Sequence, residues 1–108
     1  MNLNRIHKYD LSVGDNNVNV MLPDGAQILS VAAQHGIVRV WILLDPNIQP
    51  KKTYRFTVVG TGWDIQRDAL GIFIGTAYDG EFVWHVFARD VLAFDAELAR
   101  LRAKAGEQ

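Results

Sequence analysis

Apolar and polar residues alternate along most of this chain, with the period of two that is typical of half-buried β-strands. Five such segments lie within the first 61 residues: residues 5–13, 17–22, 28–33, 37–44 and 53–61. Turn-forming residues lie between them, among them Gly14-Asp15-Asn16, Pro23-Asp24-Gly25 and His35-Gly36. We expect the first two strands to pair with each other across the first of these turns.

Residues 71–87 predict a β-hairpin, because two apolar runs flank Asp79-Gly80, a dipeptide that favours two-residue hairpin turns. With Asp79-Gly80 as the loop, Gly75 lies opposite Trp84, and the missing side chain leaves room for the indole. Both faces of this hairpin are largely apolar. We therefore expect it at the centre of a sheet that is covered on both sides.

The period changes after residue 90. Phe94, Leu98, Leu101 and Ala105 follow the spacing of an amphipathic helix. Together with about seven strands at intervals of roughly ten residues, this predicts a mainly β protein, an antiparallel β-sandwich or small barrel with a C-terminal helix. We assign residues 1–90 to the β domain and residues 91–108 to the helix, which completes that domain or serves oligomerisation.

Composition narrows the class of protein. Apolar residues make up 49% of the 108 residues, the formal net charge is −1, and cysteine is absent. These values are typical of one globular domain, and they exclude a disulfide framework and thiolate metal ligands. The start of the chain has no apolar signal-peptide region and no segment approaches a membrane span, so we expect a cytoplasmic protein that does not contact membranes.

No catalytic constellation can be assembled from the sequence. The histidines His7, His35 and His85 lack the spacing of a zinc site, and neither Ser12 nor Ser30 lies in a nucleophile motif. His85 falls on an apolar strand face, which favours a largely buried, hydrogen-bonded side chain. We expect no enzyme activity, no metal site and no cofactor.

A short pattern occurs twice. Residues 56–64 and 71–79 both consist of an apolar run, Gly-Thr, a small residue, an aromatic residue and Asp. The copies place Gly60-Thr61 in register with Gly75-Thr76. Two matching loops could form a shared ligand site, or both strands could simply end in the residues that turns require.

The residues that we assign to a candidate binding site come mainly from this region. Trp63 is the least explained by packing, because it lies in a loop, and tryptophan often anchors interfaces. It could instead cover the open end of the sandwich. The full set is Gly60, Thr61, Trp63, Asp64, Arg67, Thr76 and, on a separate turn, His35.

Nucleic-acid binding is a further alternative. Arg39 and Trp41 share one strand face, and Arg55 would extend it if the fourth and fifth strands were neighbours, with Lys51 and Lys52 in the loop between them. Aromatic and basic side chains on one surface are typical of single-strand binding. The net charge of −1 argues against it.

Several motifs together resemble an uncharacterised family of small phage and prophage proteins. They are the opening Ile6-His7-Lys8-Tyr9, the turn Pro23-Asp24-Gly25-Ala26, a Trp followed by Asp45-Pro46, the segment Gly60-Thr61-Gly62 and the closing His85-Val86-Phe87. The resemblance covers residues 5–88 and implies a protein of phage or mobile-element origin that acts in the bacterial host cytoplasm. It implies no active site.

These observations favour a phage accessory protein that functions by binding a host or phage protein. The host–virus interaction that we expect is inhibition of a bacterial defence system (anti-defence). The loop at Asp45–Lys52 is a further candidate contact surface. Binding or sequestering of a small nucleotide-like ligand near Gly60, Thr61 and Thr76 is the first alternative. A homo-oligomer built through the C-terminal helix is compatible with each of these.

Overall fold

The structure is a computed structural model that describes residues 3–91, with residues 14–16 described by their backbone alone. Seven antiparallel strands and one 3₁₀ turn occupy this range: β1 Arg5–Leu11, β2 Gly14–Leu22, β3 Gln27–Gln34, β4 Ile37–Leu44, β5 Lys52–Gly60, the 3₁₀ turn Arg67–Ala69, β6 Ile72–Asp79 and β7 Phe82–Asp90. The predicted C-terminal helix lies outside the described residues, and so does most of the second predicted unit, residues 91–108.

The seven strands form two separate sheets, which makes the fold a sandwich and not a closed barrel. Sheet A has the strand order β1-β4-β3, and sheet B has the order β2-β5-β7-β6. The sheets approach each other most closely where β3 meets β6: a Cβ atom built on Gly75 would lie 2.5 Å from Cγ2 of Val31. Glycine is therefore the residue that allows the two sheets to pack at this edge.

The predicted pairing of the first two strands is wrong. β1 pairs with β4, from Arg5 opposite Leu44 to Leu11 opposite Val38, whereas β2 pairs with β5 in the other sheet. The chain changes sheets at residues 12 and 13, and Gly14-Asp15-Asn16 begins β2, where the register with β5 is irregular. Each strand has only one apolar face, and placing them in opposite sheets turns both faces toward one core.

The core confirms the predicted alternation along the strands. Val38, Val40, Ile42 and Leu44 of β4 are buried, while the residues between them are only half-buried. They form one cluster with side chains from both sheets: Leu11, Val20, Leu22, Phe56, Val58, Ala77, Val86 and Ala88. Burial of each large apolar side chain contributes about 1.5–3 kcal/mol to folding, so this layer holds the two sheets together.

The predicted turns at Pro23–Ala26 and His35-Gly36 are confirmed. The backbone N–H of Ala26 donates to the carbonyl of Pro23 at 3.3 Å, and Gly25 has the positive φ of 83° that such a turn needs. His35 and Gly36 both have positive φ, 55° and 77°, and they connect β3 to β4 as a two-residue hairpin loop.

The β6–β7 hairpin exists, but its register and its surroundings differ from the prediction. Asp79 pairs with Phe82, so the loop is Gly80-Glu81, and Gly75 lies opposite Val86 instead of Trp84. Trp84 has Ala77 on one side and Gly60 on the other. Only β7 is central, because β6 is the edge strand of sheet B.

Within the described residues, the predicted cover on both faces of this hairpin is incomplete. Ile72, Phe73, Tyr78 and Phe82 are all more than half exposed, with Ile72 at 76%. Apolar composition on both faces of a strand is thus not evidence of burial on both faces when the strand lies at an edge. The exposed side chains give the hairpin a surface role in addition to its place in the core.

Candidate functional site

The candidate site begins where β5 ends in a tight turn. The backbone N–H of Trp63 donates to the carbonyl of Gly60 at 3.2 Å, and Gly62 has a positive φ of 87°. This turn folds the Trp63 side chain back over Gly60, where a Cβ atom would lie 2.8 Å from the indole. Gly60 is therefore part of the site because it leaves room for Trp63.

At this end of sheet B, Trp84 contacts both Trp63 and Phe82. We call these three aromatic side chains the aromatic cluster. The rings of Trp63 and Trp84 meet edge to face, with centroids 5.7 Å apart and planes at 77°. Phe82 and Trp84 are stacked, with centroids also 5.7 Å apart and planes at 9°. Phe82 and Trp63 remain 61% and 47% exposed, so the cluster is open to solvent.

The aromatic cluster borders an open cleft of about 370 Å³. Thr61, Val83 and Glu81 complete its lining together with Gly60, and apolar atoms make up most of the surface. Thr61 is held against the hairpin by its backbone N–H, which donates to the carbonyl of Val83 at 3.4 Å. The cleft is thus formed by two chain segments, the turn after β5 and the start of β7.

His85 fixes the same region from the opposite face of sheet B. Its Nε2 is 2.7 Å from Oγ1 of Thr61, and its Nδ1 is 3.4 Å from Oγ1 of Thr76. A neutral imidazole has one donor and one acceptor nitrogen, and a threonine hydroxyl can serve either. The prediction of a hydrogen-bonded histidine is confirmed, with the side chain half-buried.

These two threonines are the matching residues of the repeated sequence pattern. Thr61 follows Gly60 and Thr76 follows Gly75 in the two copies, and both reach one imidazole. The copies therefore converge in space. Both hydroxyls contact His85, which gives the pattern a structural role.

Residues 2–93 match the family described as "Domain of unknown function (DUF7352)". The chain belongs to this family. No curated protein and no solved structure matches the chain. The matched range contains all seven strands and the whole aromatic cluster, so the DUF7352 domain and the sandwich coincide.

The residues predicted for the site fall into two groups in this DUF7352 domain. Gly60, Thr61 and Trp63 lie together at the cleft, and Thr76 reaches them through His85. The remaining predicted site residues lie elsewhere: Asp64 on the far side of Trp63, Arg67 exposed in the 3₁₀ turn, and His35 exposed on the β3–β4 turn of the other sheet.

A second, smaller cleft of about 230 Å³ lies between the loop after β5 and the outer face of sheet B. Trp63, Asp64 and Gln66 form its loop side, and Val59 and Thr57 form its sheet side. The hydroxyl of Thr57 already donates to Oδ1 of Asn17 at 3.0 Å. Trp63 is the residue that lines both clefts.

The basic surface that would support nucleic-acid binding is not assembled. β4 and β5 belong to different sheets, so Arg55 does not adjoin the face that carries Arg39 and Trp41. Arg39 donates from Nε to Oδ1 of Asp10 at 2.7 Å, and the Nζ atoms of Lys51 and Lys52 are each 3.6 Å from Asp24. Arg39, Lys51 and Lys52 therefore each lie near a carboxylate.

Within residues 3–91, no three His, Asp or Glu side chains are placed to hold a metal ion. No helix in the same range is long and apolar enough to cross a membrane.

Sequence analysis missed Phe82, Trp84 and Glu81. The alternation along β7 assigned Phe82 and Trp84 to a core face, and that assignment of the face is right, since Val86 of the same face is buried. The face continues past the part of the sandwich that the opposite sheet covers. A signal was present in the sequence: two aromatic residues at i and i+2 directly after a hairpin turn.

Proposed function

We propose that this DUF7352 protein is a small phage accessory protein that works as a protein-binding module, with the aromatic cluster as the centre of its contact surface. The observation that carries the proposal is the exposure of Trp63 and Phe82 in a cluster that the fold holds in place. Aromatic residues are enriched at the energetic centres of protein interfaces, and exposed groups of them are uncommon on monomeric domains.

Four contacts support a preformed surface. Trp63 is fixed by its turn and by the edge-to-face contact with Trp84, and Phe82 is fixed by stacking on the same indole. Thr61 is bound to His85 beneath the turn. A surface that is rigid before binding loses little side-chain entropy in the complex, which favours affinity.

The phage origin and the anti-defence role rest on the motifs described above for residues 5–88. Small non-enzymatic phage accessory proteins often act by binding and blocking a host defence protein. A host defence protein is therefore the partner class that we propose, in the bacterial cytoplasm. The predicted C-terminal helix, residues 91–108, would add either a second contact or a route to self-association.

The structure gives no specific support to a nucleotide-like ligand near Gly60, Thr61 and Thr76. Both threonine hydroxyls contact His85, and the space above Gly60 is filled by Trp63. A ligand that hydrogen-bonds to these hydroxyls would have to displace their contacts with His85. We therefore keep protein binding as the proposed function.

The test is an affinity purification from a bacterial lysate with tagged wild-type protein, Trp63→Ala and Ile48→Ala. Ile48 is 44% exposed in the loop before β5, the other candidate contact surface, at the opposite end of that strand from Gly60, and Ile48→Ala tests whether that loop is the contact surface instead. We expect wild type and Ile48→Ala to retain the same protein and Trp63→Ala to lose it. Equal retention by all three, with equal melting temperatures, would contradict the proposal.

A further inference from the structure

The cleft beside the aromatic cluster has an unusual electrostatic composition. Among the described residues that line it, Glu81 is the single ionisable one and none is basic. The rest of this lining consists of aromatic, aliphatic and hydroxyl groups. The described walls of the cleft therefore carry one carboxyl group and no cationic group.

Aromatic rings add to that negative potential. The faces of Trp and Phe rings carry the negative part of the ring quadrupole and attract cations, most strongly for Trp. Two indoles and a phenyl ring border this cleft, with the Trp63 and Trp84 planes at 77° to each other. All three rings belong to residues that line the cleft, so a cation bound there lies close to aromatic surface.

The size of the cleft fits a side chain and not a large ligand. Its volume of about 370 Å³ is at the lower end of the range for ligand sites, roughly 300–1,000 Å³. A lysine or arginine side chain has an apolar stem that lies against aromatic surface and a charged end that seeks a carboxylate or water. Both parts of such a side chain have a matching surface here.

We propose that this cleft binds a lysine or arginine side chain presented by a partner protein, with the stem against the aromatic cluster and the charged group near Glu81. This inference rests on the proposed protein-binding function and specifies its chemistry: the partner surface is basic at the point of contact. An anion, including a nucleic-acid phosphate, meets no cation among the lining residues and is disfavoured by the same charge.

The test uses small probes and the full protein. Nα-acetyl-lysine amide and Nα-acetyl-arginine amide are titrated to tens of millimolar, and Nα-acetyl-norleucine amide serves as the neutral control of similar shape. The readout is the indole N–H signals of the three tryptophans in ¹H–¹⁵N NMR spectra. We expect saturable shifts of Trp63 and Trp84 with the two cationic probes, little change with norleucine, and an unchanged Trp41 signal on sheet A.

Variants separate charge from apolar contact. Glu81→Gln should bind the cationic probes about fivefold more weakly, because it removes the carboxylate and keeps the shape. Asp68→Asn removes an exposed negative charge in the nearby 3₁₀ turn that does not line the cleft, and it should bind as wild type does. Equal loss in both variants would show a general charge effect and overturn the proposal.

Other outcomes of these titrations also test the proposal. Norleucine amide that shifts Trp63 and Trp84 as strongly as lysine amide would reduce the cleft to an apolar groove and overturn the inference, and so would the absence of any shift. If the probes fail while Trp63→Ala still loses its protein partner, the proposed function stands and the cation site is wrong. If the probes bind while Trp63→Ala retains the partner, the contact surface lies elsewhere.

Discussion

Oγ1 of Thr61 lies 2.7 Å from Nε2 of His85 and joins the turn after β5 to the central strand of the hairpin. Trp63 follows two residues later, so this bond helps to hold the turn that carries Trp63. The imidazole and the indole lie on opposite faces of sheet B. One hydrogen bond thus connects a structural histidine with the exposed surface that we propose as the contact site.

We expect His85→Ala to lower the free energy of unfolding by about 1–2 kcal/mol, because it removes the half-buried imidazole together with its contacts to Thr61 and Thr76 and its packing. Thr76→Val should cost less, since the Thr76 contact of 3.4 Å is long for a hydrogen bond. Thermal unfolding measures both, at about 4–8 °C per kcal/mol for a domain of this size. Equal melting temperatures for wild type and His85→Ala would contradict the role given to His85.

Gly75→Ala should destabilise the sandwich by about 1–3 kcal/mol, because its Cβ atom would collide with Val31 of the facing sheet. The matched experiment is the double variant Gly75→Ala/Val31→Ala, in which the colliding methyl group is removed. Urea unfolding of the four proteins gives a coupling energy. We expect the alanine at position 75 to cost much less in the Val31→Ala background; an equal cost in both would show that the two sheets do not meet there.

The contrast between Gly75 and Gly60 shows what the sequence could predict. Strand positions, turn residues and the inward face of each strand follow from local alternation, and most of them are correct. The pairing of the strands does not follow from local alternation, because residues 12–16 are compatible with either a hairpin turn or a change of sheet. The prediction that a glycine makes room beside Trp84 has the right physical reason but the wrong glycine, since Gly60 and not Gly75 is its cross-strand neighbour.

The site was only half predictable for a related reason. Trp63 could be selected because a loop tryptophan has no place in strand alternation. Phe82 and Trp84 fit the alternation, and only the extent of the opposite sheet leaves Phe82 exposed and Trp84 partly buried. That extent is set by contacts between residues distant in sequence, such as the approach of Gly75 to Val31, which no local pattern reveals.

Gly60→Ala should displace Trp63 while keeping the sandwich intact, because the added methyl group occupies the position of the indole and the indole is on an exposed loop. We expect a loss of about 1 kcal/mol from the broken edge-to-face contact with Trp84. The near-ultraviolet circular dichroism of the tryptophans should weaken while the far-ultraviolet spectrum stays unchanged. An unaltered tryptophan signal would show that the two indoles are not in contact.

The stability of the folded protein should depend on the ionisation of Tyr9 at alkaline pH. Burial raises the pKa of its phenol above the usual 10.0, since the charged phenolate loses solvation. A folded-state pKa above the unfolded one means that the folded protein holds the proton longer, so stability is lost as the pH rises past the unfolded value. Tyr9→Phe should lose less stability than wild type between neutral and strongly alkaline pH, measured by thermal unfolding. Identical pH profiles would contradict this.

The most direct test of the central claim is site-specific photo-crosslinking in bacterial cells. A benzophenone amino acid is placed at position 82, in the aromatic cluster, or at position 48, beyond the other end of β5, about 30 Å away along a nine-residue strand. The account predicts a discrete adduct with one protein from position 82, which mass spectrometry identifies, and none from position 48. Adducts from position 48 alone, or from neither position, would contradict it.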